Sequence, residues 1–178
     1  MANFQERVIG AMRLQASTFE EVEHDTTATL QAAIVVAAVG VANGLAWVWY
    51  GGISGIVTNP IIQLVGWAIS SFVLLIVGTK LFPGKNTDAD MGQMLRTLGF
   101  SQAAGLFGVL GIVPVVGWLV VPVVWIWMIV ASVVAVRQAL DYDDTTKAVI
   151  VCLVAWVIMF MVTMVAGLLG IGASGGLF

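Results

Sequence analysis

The sequence predicts an all-α membrane protein, a polytopic bundle of five transmembrane helices with an N-terminal interfacial amphipathic helix. Two observations predict it. Charged residues make up only 10% of the chain and hydrophobic residues 60%, whereas an average soluble domain is roughly 25% charged. Apolar runs recur that are about as long as the roughly 20 residues needed to cross the hydrocarbon core. A soluble chain of 178 residues has no way to bury this much apolar surface, so lipid is its solvent.

The first element is the segment 1–26, which contains acids as well as bases and does not resemble a signal peptide. Phe4, Val8, Met12 and Phe19 recur at roughly helical spacing between charged residues. This pattern predicts an amphipathic helix on the membrane surface with its apolar side toward lipid. The remaining residues, 27–178, form the membrane domain.

The membrane domain contains five apolar runs. They predict spans at about residues 30–49, 61–78, 95–113, 118–136 and 148–169. The glycine-rich stretch 51–60 predicts a turn between the first two spans. The third run stops at Pro114 and is short for a span. An alternative therefore stays open, in which the third and fourth runs form a re-entrant hairpin and the chain crosses three times.

Two helix starts are predicted within the charged segments. Thr87 or Asp88 is expected to cap the helix that leads into the third span, with Asp90 in its first turn. Asp144 or Thr145 is expected to begin the last span.

The charges predict the orientation of the chain. All seven Lys and Arg residues lie before the first predicted span, between the second and third or, for Arg96, at the start of the third, or between the fourth and fifth. The stretches 51–60 and 114–117, and the tail after the last span, carry no charge. The positive-inside rule then predicts a cytoplasmic N-terminus and an outer C-terminus.

Composition argues against an enzyme. The only cysteine is Cys152 and the only histidine is His24, so neither a multi-cysteine metal site nor a Ser-His-Asp arrangement is predicted. Apart from Arg96 at the start of the third, the predicted spans contain no Asp, Glu, Lys, Arg or His, which disfavours the alternative function, a small transporter or channel. Asn43, Gln63 and Gln102 are interpreted as interhelical hydrogen-bonding residues. No metal and no nucleic-acid partner is expected.

The predicted spans offer surfaces for close helix packing. Small residues let helices approach in lipid, and the candidates are Gly40, Gly44, Ser101, Gly105, Gly108, Gly111, Gly167 and Gly170. Four tryptophans lie inside the predicted spans: Trp67, Trp125, Trp127 and Trp156. Packing inside the bundle is the favoured role for them. The alternative is an apolar wall for a lipid, quinone or carotenoid, although no cofactor is required.

Two stretches, "MLRTLGFSQAAGLFGVLGIVPVVGWLV" and "WIWMIVASVVAVRQALDYDDTTKAVIV", resemble the bacterial branch of the Yip family, five-span membrane proteins whose eukaryotic relatives bind Rab GTPases. The residues that carry the resemblance at the predicted cytoplasmic face are Arg96, Arg137, Gln138, Asp141 and Tyr142. Relatives often have proline near Ala104, so the resemblance leaves a kink there in question.

The resemblance implies five spans, a cytoplasmic N-terminus and a short outer tail. For eukaryotic members it implies membrane trafficking and membrane shaping, but for a bacterial chain it implies no Rab partner. The predicted function is therefore a non-enzymatic membrane adaptor or accessory subunit. We expect it to pack against lipid and other membrane proteins, within a larger membrane complex such as an energy-transducing one.

Overall fold

The computed structural model describes residues 2–85 and 87–168, and within them it is helical without strands. The eight α-helices in chain order are α1 Phe4–Met12, α2 Ala16–His24, α3 Ala28–Ala46, α4 Val48–Gly51, α5 Ser54–Ile76, α6 Met91–Ser101, α7 Pro114–Ala139 and α8 Thr145–Leu168. A π-helical turn, Val77–Leu81, extends α5, and a 3-10 helix, Gln102–Ile112, extends α6. Five of the resulting segments are long and apolar enough to cross a membrane. The predicted fold class is confirmed.

The N-terminal segment forms two helices rather than the single predicted one. Asn3 and Glu6 cap α1 reciprocally. The chain turns at Leu14, whose φ of 58° is left-handed and ends the helix. Phe19 is fully buried in the core, together with Val22, so the expected placement of Phe19 toward lipid is wrong. They are buried because α2 packs against α6 and α7 rather than lying alone.

The predicted turn at 51–60 is wrong over most of its length. Helix α5 begins at Ser54 and contains Pro60. A proline inside a transmembrane helix is tolerated where neighbouring helices pack against it. Here Gly40 of α3 brings that helix's backbone against Pro60, and Gly44 does the same at Gly55. Tertiary packing therefore extends the helix through a sequence that locally favours a turn.

The third span is long enough to cross because its second half is stretched. Its eleven α-helical residues rise about 1.5 Å each and its eleven 3-10 residues about 2.0 Å each, giving about 38 Å. It ends beside α4, where Trp49 Nε1 donates to the carbonyl oxygen of Ile112 at 3.0 Å. The third segment is therefore not too short to cross, so the argument for a re-entrant hairpin no longer applies. The five-span prediction is confirmed by length and composition.

The glycine spacing explains the 3-10 geometry. A 3-10 helix has three residues per turn, so Gly105, Gly108 and Gly111 align on one side. A Cβ added to these glycines would meet, in turn, Val39, Asn43 and Ala46 of α3 at 2.7, 3.0 and 3.1 Å. The departure from α geometry near Ala104 therefore occurs without a proline.

The last two spans begin with clear signals. Helix α7 starts at Pro114, a proline in the first turn, four residues before the predicted start. Asp144 Oδ1 accepts from Thr146 N at 2.9 Å directly before α8, which confirms the prediction for Asp144. For the third span the cap is Asp90, in a reciprocal pair with Gln93, so the prediction of Thr87 or Asp88 is wrong.

Candidate functional site at the charged end of the bundle

The charged residues gather at one end of the bundle, where α2, the start of α6 and the loop between α7 and α8 meet; we call this the charged end. Arg7 of α1 is 2% exposed there. Its Nη2 donates to Glu21 Oε1 at 2.9 Å and to Asp25 Oδ2 at 2.6 Å, and its Nη1 donates to Gln31 Oε1 at 3.1 Å. One buried guanidinium thus joins α1 and α2 to the start of α3.

The acids around Arg7 are held in their charged forms. Hydrogen bonds from Thr27 and then from Arg7 lower the pKa of Asp25 to about 2. The hydrogen bond from Arg7 also lowers the pKa of Glu21. Both carboxylates therefore remain ionised at neutral pH and serve the attachment of α1 and α2.

Arg96 of α6 binds the free carbonyl end of α2. Its Nε donates to the carbonyl oxygens of Val22 and Glu23, both at 3.0 Å, and its Nη2 also donates to that of Glu23. The last carbonyls of a helix lack intrahelical partners and carry the negative end of its dipole. Gly92 leaves room for this guanidinium, because a Cβ there would be 2.8 Å from Arg96 Nη1.

Glu23 is a buried carboxyl that sequence reasoning missed. The residue is 1% exposed; its Oε1 accepts from Gln93 Nε2 at 3.0 Å, and its Oε2 has no partner among the described residues. Burial, and secondarily the charge of Asp141, raises the pKa of Glu23 to about 7. The available signal was its spacing, since Glu23 follows the buried Phe19 by four residues on the same helix face.

The loop between α7 and α8 is fixed by Arg137. Its Nε donates to the carbonyl oxygen of Tyr142 at 3.2 Å, its Nη2 to that of Asp143 at 3.2 Å, and its Nη1 to Thr145 Oγ1 at 3.0 Å. Asp141 takes the left-handed conformation, with φ of 50°, which aspartate tolerates better than most residues. The loop is therefore a defined structure rather than a flexible connector.

Tyr142 attaches this loop to the π-helical turn. Its ring is buried, and its hydroxyl lies 2.7 Å from the carbonyl oxygen of Phe82 and 3.1 Å from that of Gly78. Burial raises the pKa of Tyr142 to about 12, so the hydroxyl stays protonated and donates. Lys147 Nζ donates to the carbonyl oxygen of Pro83 at 2.7 Å and lies 5.4 Å from the Tyr142 ring centroid.

Four of the five residues that carry the family resemblance line one open cleft of about 550 Å³, together with Asp143; they are Arg137, Gln138, Asp141 and Tyr142. Gln138 Nε2 donates to Glu20 Oε2 of α2 at 3.1 Å. The side chains of Asp141 and Asp143 are exposed. Arg96 does not line the cleft and instead holds α2 beside it.

The predicted packing residues lie in different surroundings. Ser101 is buried and donates to the carbonyl oxygen of Leu98 at 2.8 Å. Gly40, Gly44, Gly105, Gly108 and Gly111 face neighbouring helices, as described above. A Cβ at Gly167 would meet nothing within 4 Å, so this glycine makes no close helix contact in the chain. Gly170 lies outside the described residues.

The four tryptophans also differ from one another. Trp67 is buried and its Nε1 donates to the carbonyl oxygen of Leu95 at 3.1 Å, and Trp156 packs partly buried against the core. Trp127 is partly exposed, and its Nε1 donates to the carbonyl oxygen of Met12 at 2.8 Å. Trp125 is 67% exposed. Packing inside the bundle is therefore wrong for Trp125, because it lies on the outer face of α7.

The expected polar contact between spans is present. Gln63 Nε2 donates to Gln102 Oε1 at 2.7 Å. Within residues 2–85 and 87–168, no three His, Cys, Asp or Glu side chains are placed to hold a metal ion.

The fold and the site define a five-span helical membrane protein with a structured polar surface at one end. A family model, the Yip1 domain, matches residues 9–166. The chain belongs to this family, as the resemblance implied, and is an integral membrane protein. No curated protein and no solved structure shows a significant match to the chain.

Proposed function

We propose that this protein is a non-enzymatic membrane adaptor or accessory subunit, and that the cleft at the charged end docks another protein. The observation that carries the proposal is the cleft itself. It is lined by Arg137, Gln138, Asp141, Tyr142 and Asp143 on a loop that internal hydrogen bonds hold in one conformation. A preorganised surface binds with less loss of conformational entropy than a flexible loop.

The charges of the cleft favour a basic partner segment. Asp141 and Asp143 are exposed, and among the described residues their carboxylates accept no hydrogen bond. Arg137 donates hydrogen bonds to the loop backbone and to Thr145 rather than to these carboxylates. The guanidinium of Arg137 keeps its charge, so the cleft carries one positive and two negative groups. Its net negative charge attracts Lys or Arg and discriminates against acidic segments.

The same charges support an orientation. The Lys and Arg residues of the chain lie outside the predicted spans or, as Arg96 does, at the start of one, and the positive-inside rule places such segments in the cytoplasm. The proposal therefore has the N-terminus and the cleft on the cytoplasmic side of a bacterial cytoplasmic membrane. A cytoplasmic or membrane-bound protein complex, such as an energy-transducing one, then has access to the cleft.

The alternative of a small transporter or channel has less support. In the described part of the chain, the two glutamines best placed to line a polar path, Gln63 and Gln102, bond to each other. Arg96, which lies within the third candidate span, is committed to the carbonyls of α2. These groups serve contacts between helices, and nothing about them requires a moving substrate.

A charge-neutralising variant tests the proposal. Asp141→Asn with Asp143→Asn removes both carboxylates, and asparagine tolerates the left-handed backbone at position 141. A photo-crosslinking residue at Gln138, at the edge of the cleft, reports the partner in living cells. We expect the double variant to reduce the cross-linked product about tenfold, as the loss of about 1.4 kcal/mol would.

The matched control is Asp88→Asn, which removes an exposed carboxylate outside the cleft. Tyr142 is left unchanged, because its hydroxyl holds the loop to the π-helical turn. If the double variant and the control give equal cross-linking, the cleft is not the docking surface and the proposal is wrong.

A further inference from the structure

The two N-terminal arginines are in contrasting environments. Arg7 is buried, and its two terminal nitrogens donate to Glu21, Asp25 and Gln31. Arg13 is exposed, and no ion pair or side-chain hydrogen bond within the described residues involves it. A guanidinium with five unused donors in a fork is well suited to a phosphate group.

Arg13 is held at a turn whose geometry is unusual for its sequence. Gln15 N donates to the carbonyl oxygen of Gly10 and Leu14 N to that of Ala11, both at 3.0 Å. This is the helix-ending arrangement in which glycine normally occupies the left-handed position. Here Leu14 occupies it with φ of 58°, a conformation that is disfavoured for residues with a Cβ.

The side chain of Leu14 lines an apolar groove of about 320 Å³ against α7. The other lining residues are Val123, Ile126, Trp127 and Val130. Trp127 closes the groove toward the turn, because its Nε1 donates to the carbonyl oxygen of Met12 at 2.8 Å. The residue between Met12 and Leu14 is Arg13, so its backbone lies at the edge of the groove.

The groove begins about one leaflet's thickness from the charged end. Val130 is nine residues from the end of α7 at Ala139, about 14 Å along the helix. Long basic side chains at such depths extend toward the headgroups. From Val130 to Val123 the groove follows α7 for about 10 Å, away from the charged end.

We propose that this groove binds one anionic phospholipid, with an acyl chain along α7 and the phosphate on Arg13. The two parts of the site match the two parts of such a lipid: an uncharged, wholly apolar groove and an unpaired cation whose backbone lies at its edge. Free phosphate leaves the groove unfilled, and a quinone or carotenoid leaves Arg13 unpaired. The site is separate from the cleft of the proposed adaptor and does not depend on that proposal.

Native mass spectrometry of the whole protein tests the site. The protein is released from vesicles of equal parts phosphatidylglycerol and phosphatidylcholine with identical acyl chains, and the retained lipids are counted. We expect one retained phosphatidylglycerol. We expect Arg13→Gln to lower the ratio of phosphatidylglycerol to phosphatidylcholine about fivefold, corresponding to about 1 kcal/mol per cation near a lipid surface.

Two further variants distinguish a specific lipid site from a general attraction of anionic lipid to surface cations. Lys85→Gln removes an equally exposed cation outside the groove and is expected to leave the ratio unchanged. Val130→Trp is expected to fill the groove and to lower the retention of both lipids, while the protein keeps its helical content. Equal effects of Arg13→Gln and Lys85→Gln, retention that survives Val130→Trp, or binding of only an uncharged molecule would each overturn the proposal.

Discussion

The two halves of the bundle hold their helices together in different ways. At the charged end, long side chains reach backbone carbonyls, as Arg96 reaches the end of α2 and Tyr142 reaches the π-helical turn. In the half toward α4, backbones meet directly, as Gly40 meets Pro60 and Gly44 meets Gly55. In lipid there is no hydrophobic drive to associate apolar helices, so close packing does this instead. The difference shows how one chain adapts its contacts to water and to lipid.

The largest effect is expected where backbones meet. A Cβ at Gly40 would lie 2.5 Å from Pro60 Cα, and backbone atoms of two helices have little freedom to move apart. We expect Gly40→Val to destabilise the bundle by about 3 kcal/mol, at the upper end for overpacking. Unfolding by SDS in bicelles, followed by circular dichroism, measures the change.

The control for this prediction is Gly66→Val on α5. A Cβ at Gly66 would meet nothing within 4 Å, so we expect a change within about 0.5 kcal/mol. Equal destabilisation by the two valines would show that helix packing at Gly40 is looser than the structure has it.

The second effect is expected at the charged end. Arg96→Met keeps the side-chain volume but leaves the carbonyls of Val22 and Glu23 without their charged donor. Hydrogen bonds to charged groups contribute about 1.5–3 kcal/mol. We expect the attachment of α2 to weaken by about that amount, which hydrogen exchange of the α2 amides, normalised to α8, measures.

Arg137→Met is the matched comparison. Arg137 also makes three hydrogen bonds, but two of them are at exposed positions, where water replaces a lost donor. We expect less than about 1 kcal/mol at the loop and no change at α2. Faster α2 exchange in both variants would mean that the two arginines act through one cooperative unit.

The two halves also differ in how well the sequence predicts them. The lengths of the apolar runs and the placement of the charges are enough to predict five spans, because each depends only on how one segment interacts with lipid or water. The start of α5 at Ser54 was missed, because glycines on another helix stabilise it. The column of Gly105, Gly108 and Gly111 carried a detectable signal, a period of three that fits a 3-10 helix better than an α-helix.

The candidate site at the charged end could also be predicted from the sequence only in part. The residues that carry the family resemblance on α7 and its loop do converge, since they are adjacent in sequence. Arg96 binds α2 across 73 residues of sequence, and a single sequence contains no record of such a contact. The burial of Glu23 follows from that docking and was missed for the same reason.

The third effect is a pH dependence at Glu23. Its carboxyl has a pKa of about 7 in the folded protein against 4.5 in its ordinary state. Between these values the folded state binds more protons than the unfolded state, so the stability of α2 docking falls as pH rises from about 4.5 to 7 and is flat above. The groups that face it are Asp141, His24, Glu20 and Arg96.

The variant Glu23→Gln isolates the contribution of this carboxyl to the stability of α2 docking. Glutamine retains an acceptor for Gln93 and has no charge, so exchange of the α2 amides should lose most of its dependence on pH between 5 and 7. At pH 8 we expect the variant to dock more tightly by about 1–2 kcal/mol, below the full shift because the amide nitrogen of glutamine replaces Oε2, which has no partner among the described residues. His24→Gln is the control for titration of the neighbouring His24 imidazole. A pH profile that Glu23→Gln leaves unchanged would contradict a buried, protonating Glu23.

The smallest effect is expected at the one side-chain contact that the sequence predicts inside the lipid half. Gln63 and Gln102 bond at 2.7 Å, and such pairs contribute about 0.6 kcal/mol in membrane bundles, because the separated helices find other partners. A double-mutant cycle with Gln63→Leu and Gln102→Leu, measured by SDS unfolding, should give a coupling of that size. A coupling above about 2 kcal/mol would mean that polar bonds, rather than glycine packing, hold this half together, and the contrast between the two ends would fail.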